Sequence, residues 1–173
     1  MAWSAWLASP ATDHTLRLTE LERAIPQGAT VLLDTSTLAA YFGNELTTPV
    51  AVTLIDTLVH SGRNRALVSA VSATELLVRP LRAGRNDVGS AIVRFLRMFP
   101  NLDVVSVDLT VAITASQLRA REGMKMADAL IAASGLDRSA EVAVSDDNGW
   151  PEMLTYDETT MRVLALRSFL PRS

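Results

Sequence analysis

The sequence predicts an α/β domain, a three-layer sandwich of helices around a mostly parallel sheet of about five strands. Three observations carry this. Five apolar runs, each four to five residues long and rich in Val or Leu, punctuate the chain: TVLLD at 30–34, ALVSA at 66–70, LDVVS at 102–106, VAVS at 142–145 and RVLAL at 162–166. Such runs read as strands buried on both faces, the parallel-sheet pattern. Between them lie stretches with helical spacing of apolar residues, and strands alternating with helices imply crossover connections. Finally, 173 residues, 49% hydrophobic and 20% charged, suffice for one full core and give no sign of a repeat or second domain.

Residues 1–28 read as an amino-terminal arm ahead of a main domain at 29–173. Leu16, Leu18, Leu21 and Ile25 predict a short amphipathic helix within the arm. Trp3 and Trp6 share one face if their stretch is helical, and the arm is expected to pack on its own domain. A short helix at 36–43 follows the first strand. Helix 49–60 opens at Pro49, whose fixed φ suits a first turn. Helices at 72–79, 87–99, 109–121 and 126–138 follow, with Asp108 placed to cap the third of these. Two apolar stripes are wide. Val50, Leu54, Ile55 and Leu58 are flanked by Val52 and Val59, and Val88, Ile92, Phe95, Leu96 and Phe99 by Ala91, Val93 and Met98. A stripe this broad suits either deep burial or a protein interface.

Composition narrows the function classes. The chain has no cysteine, which removes disulfides, thiolate nucleophiles and Cys-based zinc sites. No apolar run reaches the length of about 18 residues that spans a bilayer. The opening MAWSAWLASPA lacks the basic residues of a signal peptide, so a cytoplasmic location without membrane partners is expected. A net charge of −3 does not advertise a nucleic-acid binder. Of 16 basic residues all but Lys125 are Arg, whose planar fork suits phosphate oxygens, although a genomic base bias produces the same count.

Acids placed at element boundaries are the main functional signal. Asp34 and the pair Asp146-Asp147 end predicted strands, Glu75 lies early in the helix after its strand, and Asp128 sits three residues into the apolar helix MADALIAASGL. Ligands of open parallel sheets bind beyond the carboxyl ends of the strands, where these acids can share one crevice. Charged groups in apolar surroundings need a partner. Without basic residues clustered beside them, a divalent cation held by hard oxygen ligands is the natural one, which points to metal-assisted phosphate chemistry. Each acid also has a structural explanation. Asp34 can cap the next helix, Ser72 and Glu75 match a capping box, Asp128 can pair with Lys125, and Asp146-Asp147-Asn148-Gly149 is turn sequence.

The segments LLDTSTLAAYF, SATELL, KMADALIAAS and VAVSDDNGW, in that order over about residues 30–166, resemble the signature segments of the PIN-domain ribonucleases, and among them the VapC-type toxins of bacterial toxin–antitoxin modules. The resemblance implies a PIN-like fold and a Mg²⁺- or Mn²⁺-dependent endoribonuclease that hydrolyses RNA phosphodiesters. It implies catalytic acids at Asp34, Glu75, Asp128 and Asp147, with Ser36 as a supporting hydroxyl. Asp146 stands where the family often has Asn and Trp150 where it often has Phe, so Asp146 and Asp147 are both retained with Asp34 and Asp128 as metal ligands. The arm is longer than the family usually carries. A cognate antitoxin and a second copy of the chain are the implied protein partners, with helices 49–60 and 87–99 as their contact surfaces. Arg79, Arg82, Arg85, Arg119, Arg121 and Lys125 are candidates for holding the RNA backbone; the alternative for them is a solvated face.

Other functions use the same residues differently. A phosphatase resembling the haloacid-dehalogenase superfamily would take Asp34 as nucleophile, Ser69 as phosphate-binding hydroxyl, Lys125 as clamp and Asp146-Asp147 as Mg²⁺ ligands. It lacks that family's second acid, because Ser36 fills the position, and it gives Glu75 and Asp128 no task. A non-catalytic PIN-like module binding RNA or protein has no use for clustered repelling acids. A two-component receiver carries its acid pair after the first strand, whereas here the pair follows the fourth.

Overall fold

The computed structural model describes residues 19–170; Trp3, Trp6, His14, Leu16 and Leu18 lie outside them. Helical residues 19–24 (α1) lead to β1 (Thr30–Leu33) and α2 (Thr35–Phe42). A short α3 (Thr48–Val52) widens directly into a π-helical turn at Thr53–Val59. Next come β2 (Arg65–Ser69), α4 (Ala70–Arg82), α5 (Asn86–Met98) and β3 (Leu102–Val105). The chain continues through α6 (Leu109–Glu122), α7 (Met126–Asp137) and β4 (Val142–Val144). It closes with the hairpin β5 (Met153–Tyr156) and β6 (Thr159–Leu164) and one 3₁₀ turn, Leu166–Phe169. The sheet has six strands in the order β3-β2-β1-β4-β6-β5, all parallel except β5.

Alternation along β1 produces the layers. Val31 and Leu33 point to one core with Leu21, Ile25, Leu38, Leu54, Ile55 and Phe95, while Leu32 points to a second core with Leu67, Leu118, Ile131 and Leu136. Each fully buried aliphatic side chain contributes about 1.5–3 kcal/mol. The second core is tight where α7 crosses the sheet: a Cβ added at Gly135 would stand 2.8 Å from Leu32 Cδ2. The absent side chain there lets α7 lie against the sheet, which fixes the helix that carries Asp128.

The arm joins the first core through Leu21 and Ile25, both fully buried. Its carbonyls are held by two neighbouring side chains. Arg63 donates to Ile25 O at 2.9 Å and Glu22 O at 3.1 Å, and the Asn64 amide donates to Pro26 O at 2.8 Å and Ala29 O at 2.9 Å.

Several elements differ from their sequence-based expectation. Strand β5 was not expected and β6 begins at Thr159, not 162, because the hairpin turns through Asp157-Glu158 with Asp157 at φ 53° and no glycine to signal it. Helix α4 starts at Ala70 and runs through Pro80 for its last turn. Its cap is Ser69, whose hydroxyl accepts the Val71 N–H at 3.3 Å, so Ser72 and Glu75 form no capping box. The wide stripe of 49–60 is core: Val50, Leu54, Ile55, Leu58 and Val59 are all buried. Strand β3 is an edge strand with Asp103 and Val104 exposed, not buried on both faces. No helix among the described residues is long and apolar enough to cross a membrane.

Candidate functional site

The strand order reverses between β1 and β4, and both strands end in the residues singled out above. Side chains leaving the carboxyl ends of neighbouring strands at such a point face one crevice. Asp34 is the first residue after β1 and is almost fully buried. Its backbone N–H donates to Val144 O on β4 at 3.1 Å, tying the two strand ends together. As N-cap of α2 it accepts the Ser36 N–H on Oδ2 at 3.3 Å. The same oxygen accepts two hydroxyls at 2.7 Å, from Ser36 and from Ser145. The cap thus accounts for part of one oxygen's contacts and leaves unexplained why two hydroxyls converge on it.

Those hydroxyls also build the loop after β4. Ser36 Oγ accepts the Asp146 N–H at 2.9 Å, and Ser145 Oγ accepts the Asp147 N–H at 3.1 Å. The adjacent acids then separate. Asp146 Oδ1 accepts the Arg167 backbone N–H at 2.9 Å and Nε at 3.3 Å, and a further Arg167 nitrogen, Nη2, donates to the Asp146 carbonyl. Asp147 Oδ1 closes a turn by accepting the Gly149 N–H at 2.7 Å. Its Oδ2 stands 3.9 Å from Lys125 Nζ, a long contact to an exposed lysine. Lys125 is thus drawn to Asp147 and makes no ion pair with Asp128.

Glu75 projects from α4 and is fixed by Thr35, whose hydroxyl donates to Oε2 at 2.5 Å. Asp128, in the first turn of α7, is half-buried. Burial is the main cause holding its carboxyl above the usual carboxylate range; the charges of Asp147, Asp34 and Glu75 push the same way and Lys125 opposes them. The fold therefore brings Asp34, Glu75 and Asp147 within electrostatic reach of Asp128, with Lys125 as the one opposing cation among the described residues. Among the described residues, no three His, Asp or Glu side chains stand close enough to form a closed ligand cage.

The basic candidates are dispersed. Arg79 and Arg82 are exposed in the last turn of α4, and Arg119 and Arg121 in that of α6. Arg85 is taken by Asp87 through two bonds of 3.0 Å. Three residues that sequence reasoning passed over belong to the site. Ser145 and Thr35 orient carboxylates, and Arg167 withdraws Asp146. A hydroxyl adjoining an acid at a strand end is the signal that marks the first two, whereas nothing local marks Arg167. Ser69, the phosphate-binding hydroxyl of the phosphatase alternative, is fully buried 3.0 Å from the Ser134 hydroxyl and has no exposed surface to offer a phosphate.

Comparison with known proteins agrees with this arrangement. No curated protein matches the chain. Among solved structures, DNA-bound VapBC from Salmonella typhimurium is similar at TM-score 0.57 and 21% identity, covering 80% of this chain and 98% of that one. The Mycobacterium tuberculosis toxin VapC20, which cleaves the sarcin–ricin loop, is similar at TM-score 0.55 and 17% identity over 65% of this chain and 86% of its own. VapBC2 from Rickettsia felis, bound to a DNA fragment from its promoter, matches at TM-score 0.55 and 16% identity, covering 68% and 87%. Likeness at these identities speaks for the fold. The family model for the PIN domain matches residues 31–153, which span β1 through the start of β5 and include every acid of the crevice. The chain belongs to the PIN-domain family.

Proposed function

We propose that this protein is a Mg²⁺- or Mn²⁺-dependent endoribonuclease, the toxin half of a toxin–antitoxin pair. One observation carries the reading: a buried carboxylate, Asp34, is oriented by two hydroxyls at the sheet's switch point, among acids whose repulsion of Asp128 outnumbers the one opposing cation, Lys125. The donor set is hard oxygen throughout, which fits Mg²⁺ and Mn²⁺. The lack of a closed cage fits a hydrated ion, since Mg²⁺ keeps several waters and takes only one or two carboxylates directly.

Asp34, Asp128 and Asp147 would hold the ion, one or two of them directly and the rest through its waters. Asp146, bound to Arg167, anchors the loop and stands aside from it. When bound, the ion supplies a water acidic enough to attack near neutral pH and offsets charge on the phosphate. Ser36 and Ser145 fix the orientation of the Asp34 carboxylate. Glu75, steered through Oε2 by Thr35, leaves Oε1 to accept the proton that the attacking water sheds. Lys125 and the exposed Arg119 and Arg121, which lie along α6 and the entry to α7, meet the flanking phosphates, and Arg79 and Arg82 meet them from α4.

For the antitoxin, α5 keeps what α3 does not. Met98 is exposed and Val93 partly so, and they line a groove of about 600 Å³ with Leu77, Leu81 and Arg94 between α4 and α5. An apolar helix face fits such a groove. The solved toxin–antitoxin complexes of similar fold favour a partner of this kind.

Purified protein incubated with total RNA and Mg²⁺ tests the activity. We predict that Asp34→Asn and Asp147→Asn each lose about 10³-fold in cleavage rate, equivalent to the several kcal/mol a metal ion supplies. Asp146→Asn retains most activity. Undiminished cleavage by Asp34→Asn with its far-ultraviolet dichroism unchanged contradicts the proposal.

A further inference from the structure

Asp146 and Asp147 are neighbours in the chain, yet they meet opposite surroundings. The N–H, carbonyl and carboxylate of Asp146 are all held. Its N–H donates to Ser36 Oγ at 2.9 Å, its Oδ1 accepts the Arg167 N–H at 2.9 Å and Nε at 3.3 Å, and its carbonyl accepts from Arg167 Nη2. Asp147 turns one oxygen to the Gly149 N–H at 2.7 Å and leaves the other with Lys125, 3.9 Å away. The Asp146 side chain is only 20% exposed, so its charge is largely withdrawn from water and depends on the guanidinium. A turn needs one bond from an aspartate to the backbone. Here one arginine grips both the charge and the carbonyl of a single residue. Arg167 is itself well anchored: it belongs to the turn Leu166–Phe169, whose two end residues are buried in the first core.

Asp146 lies close to the crevice. Ser36 Oγ, which accepts its N–H, donates to Asp34 Oδ2 at 2.7 Å. The backbone nitrogen of Asp146 is therefore two hydrogen bonds from the Asp34 carboxylate, well inside the screening length of about 10 Å in ordinary buffer. An unbalanced carboxylate here would act on any cation held at Asp34. The acids that press on Asp128 are Asp147, Asp34 and Glu75; Asp146, although bonded to Asp147, is not among them.

We infer that Arg167 is a positioning residue of the metal crevice: by pairing with Asp146 it keeps a fifth carboxylate from acting on the ion, so that Asp147 alone represents the loop after β4 there. The inference rests on the metal-dependent ribonuclease reading, and its test separates the two. Without Arg167 the ion is attracted more strongly but away from the productive geometry, so affinity and rate move in opposite directions.

Wild type, Arg167→Gln, Arg167→Lys and the double variant Asp146→Asn/Arg167→Gln are titrated with Mg²⁺ and with Mn²⁺ by calorimetry in the absence of RNA, and assayed for cleavage of total RNA. Arg167→Gln should bind the ion about three- to tenfold more tightly, the scale of one added charge acting on a divalent ion through water. It should cleave about 10- to 100-fold more slowly, as when a group that orients a metal ligand is lost. Adding Asp146→Asn keeps the Oδ1 acceptor, removes the charge, and should return both values toward wild type. Arg167→Lys keeps the cation and should stay nearer to wild type than to Arg167→Gln in both. Urea unfolding in a chelator covers an Arg167→Gln protein that folds poorly: the double variant should recover the lost stability, and one that recovers none overturns the role. Affinity and rate that fall together in Arg167→Gln, or stay at wild-type values, or are not repaired by Asp146→Asn, overturn the role of Arg167 and leave the nuclease reading intact. If wild type cuts no RNA yet binds the ion, and affinity rises in Arg167→Gln and returns in the double variant, the nuclease reading fails and the role of Arg167 stands. A wild type that binds neither ion overturns both.

Discussion

The two ends of the sheet treat their carboxylates in opposite ways. At the amino end, Asp103 receives Arg65 at 2.7 Å, Asp137 receives Arg138 at 3.1 Å, and Glu141 accepts the Thr30 N–H at 3.3 Å. At the carboxyl end, among the described residues, only Asp146 has a close cation, Arg167. Asp34 and Glu75 are held by hydroxyls, Asp147 has a lysine at 3.9 Å, and Asp128 is pushed toward its protonated form by burial and by its neighbours. Hydroxyls orient a carboxylate without neutralising it. Two of the amino-end acids are therefore paired directly with arginine, whereas the crevice acids are left open, which is where an external cation has most to gain.

Breaking the orientation of Asp34, without touching an acid, should blunt this contrast. Ser36→Ala or Ser145→Ala removes one of the two hydroxyls on Asp34 and should cost 10–100-fold in metal affinity or cleavage rate, the usual consequence of losing a group that orients a metal ligand. A metal titration followed by activity reads this directly, and an effect below twofold in both variants contradicts the role given to the hydroxyls.

Removing the repulsion should act next, and with the opposite sign. Because the Asp128 carboxyl is raised in the fold, the folded state holds its proton more tightly than the unfolded chain does. Its contribution to stability is therefore greatest below the ordinary carboxylate pKa and is lost as pH rises through the higher folded value. Asp128→Asn should flatten that decline and stabilise the metal-free protein at neutral pH while abolishing cleavage. Urea unfolding in a chelator between pH 4 and 8 checks it; a variant less stable than wild type at pH 7 refutes the repulsion.

The smallest effect belongs to the amino end. Arg65→Ala breaks an ion pair whose side chains are 65% and 51% exposed, and should change stability by about 0–1 kcal/mol with cleavage unaltered. A large loss of activity would mean that the two ends are coupled.

The sequence was most legible where one local rule decides the outcome. Strands β1 and β4 are continuous apolar runs because both faces are covered, and the acids that end them are conspicuous for that reason. Asp108 caps α6 as its position suggests, accepting the Val111 N–H at 3.0 Å. Local rules failed where two of them competed. Ser69 and Ser72 both offer a cap to the same helix; Ser69 wins because it ends β2, and Ser72 is left buried inside α4 with its hydroxyl unpartnered. That choice frees Glu75 from the backbone and lets Thr35 take it. Periodicity could not tell that the stripe of α3 is buried whereas α5 keeps Met98 exposed, since the same spacing serves both. Arg167 was invisible because it meets Asp146 only after the β5–β6 hairpin folds the chain back.

Melting curves of the wild type and of Asp34→Asn, each across a Mg²⁺ titration and repeated with Mn²⁺, test the open carboxyl end most directly. Native-state binding at about 100 times the dissociation constant should stabilise the wild type by about 2.7 kcal/mol, and the variant should respond far less. An unshifted wild type with both ions, or equal shifts in the two proteins, would mean that the crevice around Asp34 holds no metal.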